Sequence, residues 1–431
     1  MFRGKRIILS LITAFCGSLF LFGQNSKEIR NITIQQADSL FVARNLDLLA
    51  EKYNVDAVKA QIIQAKLFNN PTISINQNVV NSEYQTNGGR KWFDFTDKGE
   101  TSVQLQKLFL LAGKRNKRIN LAEVTALREE QNYFDMLRTL KFSLRSGFYT
   151  VYYLQKTLNV YDKEITSLSN IIKVFENQQE KGYASKKDVL RLKASLFSLE
   201  NEKLGYSSQL ISNMADFNVL MHTSNVYYIP QADTVKLAAI SPESVKLQEV
   251  IDTAMKYRYD LKMAQSDLAF NQMNLNYQKA LGVPDLTLSA GWDRNGSFIH
   301  NYNYVGVQID LPFFNRNQGN IKTAQFTIES SKAKLQSAED QVKSDVFQSY
   351  SNALETNDVY KHFDEKFAKD LTGLIDEIIK NYEKRNISLL EFMDFYDAYK
   401  QNMIQYNTLQ NSRINAFENL NFSVGKDIIN K

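Results

Sequence analysis

The chain says nearly the same thing twice. Asp47-Leu48 aligns with Asp260-Leu261, Lys66 with Lys279 and Pro71 with Pro284, all at one constant offset. After each of those prolines the spacing of apolar residues switches from helical to alternating. A second block recurs further on: Val103-Gln104-Leu105 matches Val307-Gln308-Ile309, Ile119 matches Ile321 and Ala122 matches Ala324. Each half therefore reads as helix, strand, strand, helix, helix. Long ordered repeats of this kind indicate an internally duplicated architecture and not two unrelated domains.

The 431 residues contain only five prolines, too few for a loop-rich protein of this size. Pro71 and Pro284 end a helix and start a strand, Pro230 and Pro242 fall where the repeats join, and Pro312 closes the last strand. What remains is long uninterrupted helix.

Arg3, Lys5 and Arg6 precede an apolar run from Ile7 to Phe22, followed by the polar Gln24-Asn25-Ser26-Lys27. This pattern reads as a secretory signal peptide cleaved after Gly23; a membrane anchor helix is the competing reading, for which the run is short. The single cysteine, Cys16, lies inside the run behind Phe15, where a lipid-anchored chain needs a small residue. Removing residues 1–23 leaves no cysteine, hence no disulfide and no thiolate metal site. It also lowers the formal net charge from +5 to +2, which gives no support for nucleic-acid binding.

Beyond the signal there is no apolar stretch of about 18 residues, so membrane contact would have to come from strands. Four segments alternate: 72–80, 101–105, 286–293 and 305–311. Their apolar sides are Ile73, Ile75 and Val79; Val103 and Leu105; Leu286, Leu288, Ala290 and Trp292; and Val305, Val307, Ile309 and Leu311. One apolar and one small or polar face suits a lipid-facing, lumen-lining barrel strand, and equally a half-buried sheet of a soluble domain. Four strands leave two open edges, which lipid cannot satisfy. If these strands span a membrane, several chains must share one barrel.

From about Ala112 to Lys181 no proline occurs, a helix on the order of 100 Å long. Val151, Leu154, Leu158, Tyr161, Ile165, Leu168, Ile172 and Phe175 follow heptad spacing. After Gly182-Tyr183-Ala184 it resumes at Val189, Leu192, Leu196 and Leu199. The second repeat has the same form, with Tyr360, Phe363, Phe367, Leu371, Leu374 and Ile378 descending and Phe392, Phe395, Tyr399, Tyr406 and Leu409 returning. Both are antiparallel coiled-coil hairpins.

With these marks in place the chain resembles the TolC family of outer-membrane efflux channels over essentially its whole mature length. The marks are the doubled helix-Pro-strand pattern, the hairpin tip 180–190 and its second copy 382–394. The resemblance implies a mainly α fold with a small membrane β part. It would be an internally duplicated α-helical barrel protomer giving four β-strands to a shared twelve-stranded barrel of a homotrimer. The expected organisation is a signal peptide 1–23, a first repeat 24–233 and a second repeat 234–431. The first holds a helix, strands 72–80 and 101–108 and a hairpin 112–222; the second holds a helix, strands 285–293 and 304–311 and a hairpin 318–424.

The resemblance further implies partners: outer-membrane lipid, a periplasmic adaptor and an inner-membrane pump of the RND type. Within the family, Leu311-Pro312-Phe313-Phe314-Asn315-Arg316-Asn317-Gln318-Gly319-Asn320-Ile321 and Ala112-Gly113-Lys114-Arg115 are similar to the heavy-metal efflux branch of the CzcC and CusC type. That similarity implies metal cations as cargo, against drugs, other small molecules or type I secretion substrates. The residues themselves show no ligand cluster, since His222, His300 and His362 are isolated. A conduit needs no cofactor.

An enzyme reading finds no Gly-rich phosphate loop, nucleophile elbow or helical His pair. A periplasmic adaptor would carry one hairpin flanked by compact β domains, and a coiled-coil scaffold would leave the Trp292 strand without purpose. The family's site residues map here by alignment. Gly182, Tyr183, Ala184 and Ser185, with Arg385, Asn386, Ile387 and Ser388, are the expected adaptor-docking tips. Arg385 stands where the family usually has Gly. Glu391 and Asp394, three apart, take the place of inward-facing gate acids, with Asp188 expected to bond the Tyr382 hydroxyl and hold the entrance shut. A basic latch residue of the family is Ile387 here. Plain solvation of the tip accounts for the same acids.

The loops at Asn87-Gly88-Gly89 and Asn295-Gly296-Ser297 have turn chemistry suited to the outer face. Trp92, Phe93 and Tyr302 are placed for an aromatic girdle or for ordinary loop packing.

Overall fold

The computed structural model describes residues 28–77, 100–223, 226–295, 299–363, 365–384 and 386–429. The expected signal peptide, the loop with Gly88, Trp92 and Phe93, the Gly296-Ser297 turn and Arg385 lie outside the described residues.

Both repeats open on a pair of helices where one helix was expected. Strand β1 (Glu28–Ile32) leads into α1 (Ile34–Arg44), then α2 (Leu46–Lys66). The break is a single residue, Asn45, extended at ψ 121°. Its side-chain oxygen accepts from the Leu48 N–H at 2.9 Å, and its amide donates to the Leu220 carbonyl at 2.8 Å. Asparagine thus caps the new helix and ties it to the end of the hairpin, and this bond over-rides continuous helix. The second repeat breaks at the matching residue, Arg258, between α6 and α7 described below.

After Pro71 come β2 (Thr72–Gln77) and β3 (Thr101–Phe109); residues 78–80 of the expected first strand lie outside the described residues. The hairpin of α3 (Lys114–Glu180) and α4 (Lys186–Leu220) follows, and α3 alone has 67 residues, about 100 Å. Strand β4 (Val226–Pro230) pairs in parallel with β1. The sequence reading missed both, because five-residue strands without alternation carry no period to detect. Short helix α5 (Thr234–Ala239) and a 3₁₀ turn at Pro242–Ser244 then join the repeats.

The second repeat runs α6 (Leu247–Tyr257), α7 (Tyr259–Leu281), β5 (Leu286–Asp293), β6 (Tyr302–Ile309), α8 (Gln318–His362), α9 (Glu365–Glu383) and α10 (Leu389–Val424). Strand β6 begins two residues earlier than expected and ends at Ile309. The descending helix is interrupted: Phe363 leaves helical geometry at φ −125°, ψ 63°. No Pro or Gly marks that break, so the heptads run through it unbroken in sequence.

The four membrane strands form one antiparallel sheet in the order β2-β3-β5-β6. Its register puts Ile75, Val103 and Trp292 in one row, Ile73, Leu105, Ala290 and Val305 in the next, and Leu288 with Val307 in a third. The apolar positions read from alternation that fall within these described strands therefore share one face, and Ile73 is 66% and Val305 88% exposed there. The opposite face carries Ser74, Gln104, Gly291, Ser289 and Gly306. Tyr302 falls on this side, stacked 5.9 Å from Tyr304, so it is not part of an outward girdle. Tyr304 lies over Gly291, where an added Cβ would meet its ring at 2.5 Å. Both outer strands, β2 and β6, have an unpaired edge.

Two cores hold the helices. One, around the middle, joins Ile32, Phe41, Leu144, Phe148, Phe217, Val346, Phe417 and Leu420 from both repeats and the β1–β4 ribbon. The other, toward the hairpin tips, packs Tyr161, Leu168, Ile172, Leu192 and Leu199 of the first hairpin against Ile375, Ile378, Phe392 and Tyr396 of the second. Among the described residues no helix is long and apolar enough to cross a membrane.

Candidate entrance, docking tips and membrane elbow

The first tip is a glycine turn. Helix α3 ends at Glu180, and Gly182 at φ +75° donates its N–H to the Gln179 carbonyl while Tyr183 donates to Gln178. A side chain at Gly182 would meet nothing within 4 Å, so the backbone angle alone demands glycine. Ala184 is half-buried, Tyr183 exposed, and Ser185 caps α4.

The second tip keeps the same backbone bond five residues back and adds a side-chain bond beside it. The Asn386 N–H donates to the Asn381 carbonyl, and its amide reaches the Asn381 side chain at 3.2 Å. Ile387, in the place of the family's basic latch, packs onto the lower core. Ser388 caps α10.

Both returning helices start alike. The Asp188 N–H donates to the Ser185 hydroxyl oxygen at 3.1 Å, and that hydroxyl donates to the Asp188 carboxylate at 2.7 Å. In the second copy Ser388 and Glu391 form a reciprocal capping box, the Glu391 carboxylate accepting the Ser388 N–H at 2.8 Å. That backbone bond holds the Glu391 carboxyl below the usual carboxylate range. Ser-x-x-acid is a sequence signal for such caps, and it was legible at both tips before the structure.

Two of the three expected gate acids therefore have a structural duty. The third, Asp394, is exposed one turn further along α10. The Asp188–Tyr382 bond is absent in this structure. Tyr382 is 3% exposed, its ring stacked between Phe175 at 5.0 Å and Phe392 at 4.3 Å, and its hydroxyl is buried without a hydrogen-bond partner. Burial first, then the Asp188 charge, pushes its pKa up. The two residues thus sit near one another without a bond, because Asp188 spends its carboxylate on its own helix cap.

The stretches that resemble the metal branch fold into elbows between strand and helix. Leu111 N–H and the Lys114 ammonium both reach the Asp285 carboxylate, at 2.9 and 2.7 Å, and Lys114 also donates to the Val283 carbonyl at 2.7 Å. Ala112 and Gly113 take positive φ, as does Asn317, the matching helix cap of the second repeat. Arg118 donates to the Ala65 and Leu67 carbonyls, and Arg115 lies over the Phe68 ring at 4.2 Å. At Gly282 a Cβ would meet the Arg316 carbonyl at 2.6 Å. Lys114 and Arg115 of these motifs tie strand to helix, and no group of His, Cys, Asp or Glu capable of holding a metal occurs among the described residues.

With this geometry, comparison with known proteins is informative. The model of the outer membrane efflux protein family matches residues 39–220 and 250–426, one segment in each repeat. The cobalt-zinc-cadmium resistance protein CzcC of Cupriavidus metallidurans is 21% identical over 293 residues, 68% of this chain and 66% of that protein. The chain thus spans just under two thirds of that relative's length. Among solved structures, a membrane protein from Pseudomonas aeruginosa superposes with TM-score 0.75 at 14% identity, covering 91% of this chain and 92% of that one. The structure of CusC gives TM-score 0.73 at 15% identity, with the same coverage. The chain belongs to the outer membrane efflux protein family and shares the fold of the CusC structure.

Proposed function

We propose that three copies of this chain close one twelve-stranded barrel and continue as a helical tunnel that receives cargo from a periplasmic adaptor and an RND-type inner-membrane pump. The supporting observation is the sheet itself, with its in-register apolar face and two open edges. Lipid cannot satisfy an open edge, and threefold closure joins β6 of one copy to β2 of the next. The helices carry a matching seam: Leu190, Phe197, Leu204 and Ile211 of α4, seven apart, are exposed in the single chain. Similarity to a cobalt-zinc-cadmium resistance protein favours divalent or monovalent metal cations as cargo; a multidrug or secretion channel is the second reading.

In this reading Asp394 contributes the charge that faces the narrow end, and threefold symmetry makes it a ring that favours cations. Glu391 supports that ring by fixing the start of α10. Asp394→Asn is expected to reduce block of the closed channel by multivalent cations in planar bilayers about tenfold. Glu391→Gln, which preserves the cap, should leave block within about twofold of wild type. Equal block in Asp394→Asn and wild type would remove the gate assignment, and trimer that never conducts would remove the channel reading.

The residues 182–185 and 386–388, with Arg385, form the docking tips. Tyr183, 69% exposed, is the better probe than Ser185, whose replacement also removes the α4 cap. Tyr183→Ala is expected to lower adaptor crosslinking about tenfold or more, as loss of an aromatic contact residue does, with trimer yield unchanged. Unchanged crosslinking and export would mean that the turn only reverses the chain.

A further inference from the structure

On the outward face of the sheet the neutral polar residues Gln77, Thr101 and Asn303 lie toward the loop end, and Lys107 interrupts the apolar rows toward the helices. Lys107 stands in the row of Leu288 and Val307, with Phe109, Leu286 and Ile309 in the next row toward the helices. It is the charged residue on that face among the described residues, and its ammonium makes no ion pair there. Nor is it at a seam between copies, because β3 is paired on both sides, with β2 and β5. A lysine facing hydrocarbon is costly at mid-depth and tolerated near the interface.

Its height explains it. Phe109, two residues along, ends the strand, a distance of about 7 Å at about 3.4 Å per residue. A lysine side chain can lay its methylenes along Phe109 and bring the ammonium to headgroup level on the periplasmic side. The surface there is built to continue the membrane contact. The odd-numbered apolar stripe of β6 runs on past the strand through Leu311 and Phe313, and Phe314 is 96% exposed. Arg316 beside them is exposed and without an ion pair among the described residues, while the neighbouring acid Asp285 is held by Lys114.

We propose that Lys107, with Phe313, Phe314 and Arg316 at the elbow, forms a site on the outer wall of the barrel for the phosphate headgroup of an anionic phospholipid in the periplasmic leaflet. The site rests on the barrel reading above: the phenylalanines enter the acyl boundary, Lys107 meets the phosphate, and Arg316 adds positive charge at the elbow. Continuity of the apolar stripe and charge complementarity select lipid as the occupant.

The test uses purified full-length trimer: wild type, Lys107→Gln and Lys107→Arg, each equilibrated with phosphatidylglycerol or phosphatidylcholine, with retained lipid counted by native mass spectrometry. Lys107→Gln is expected to retain about fivefold less phosphatidylglycerol, Lys107→Arg to match wild type, and phosphatidylcholine to stay unchanged. Equal phosphatidylglycerol on wild type and Lys107→Gln overturns the site, as does an equal loss of both lipids. Loss of lipopolysaccharide in place of phosphatidylglycerol overturns the leaflet. Planar-bilayer conductance of the same samples separates the two readings: a conducting trimer with unchanged lipid retention sinks the lipid site alone, whereas absence of trimer and conductance sinks the barrel.

Discussion

Arg145→Met is expected to lower the free energy of unfolding by about 3–5 kcal/mol, measured by urea titration at fixed protomer concentration. Arg145 lies in the middle of α3 and meets three carboxylates from three other segments: Asp38 of α1 at 2.7 Å, Glu418 of α10 at 3.3 Å and Asp427 of the C-terminal tail at 3.3 Å. Glu418 is only 3% exposed, so its charge is tolerated largely because the guanidinium is beside it. Burial already pushes the Glu418 carboxyl up, and Arg145 opposes that push. Without the arginine a buried carboxylate faces two others, which is the costly half of a broken ion pair. The variant should therefore recover stability as pH falls and Glu418 takes up a proton, and Glu418→Gln placed on top should restore part of the loss. A change below about 0.5 kcal/mol, the range of ordinary surface substitutions, would show that this cluster is not what joins α1, α10 and the tail to α3.

Much of the fold was legible because its elements are long. Period-two alternation located all four membrane strands and the correct face of each, since a one-residue slip would have put Ile73 and Val305 on the side of Gly291. Heptads located the hairpins, and Gly182 the first turn. What escaped was set by single side chains reaching across the structure. Asn45 breaks a helix by bonding Leu220, far along the chain. Arg258 breaks the matching one while reaching Asp260 at 2.5 Å and Asp345 at 2.8 Å. Neither residue is a helix breaker by itself. Propensity cannot see a partner 87 residues away.

The entrance was read less well for a related reason. Alignment placed Asp188, Glu391, Asp394 and Tyr382 at one entrance, and the structure brings Asp188 near Tyr382 without a bond between them. Alignment cannot say what each carboxylate bonds. The Ser-x-x-acid spacing does say it, and it assigns Asp188 and Glu391 to helix starts. Tyr382 points its ring into a stack with Phe175 and Phe392, a packing decision made by the lower core. The metal-branch motifs, likewise, are marks of how strand passes to helix, so similarity in them transmits architecture more directly than cargo.

That lower core contains one more group out of place, and the second large effect is expected there. Glu164 of α3 is 4% exposed, and one carboxylate oxygen lacks a hydrogen-bond partner. Burial raises its pKa from 4.5 to about 7, against the pull of the Tyr396 hydroxyl and the Lys400 ammonium and with the push of Asp397. Lys400 is itself shared with Glu202 of α4 at 3.1 Å, Tyr396 donates to the Glu164 backbone carbonyl at 2.5 Å, and Tyr161 donates to Glu202 at 3.0 Å. Across from these, Tyr399 feels both Glu164 and Asp376 of α9. Because the folded pKa lies above the unfolded one, the folded state holds the proton more tightly. Stability is highest below about pH 4.5 as far as this group is concerned, and falls as pH rises through about 7. The wild type should thus pack its two hairpins about 2 kcal/mol more stably at pH 5.5 than at pH 8. Glu164→Gln, neutral at every pH, should abolish that slope and be the more stable protein at pH 8. A slope that persists unchanged in Glu164→Gln would assign it to another group and leave Glu164 ionised in the folded hairpins.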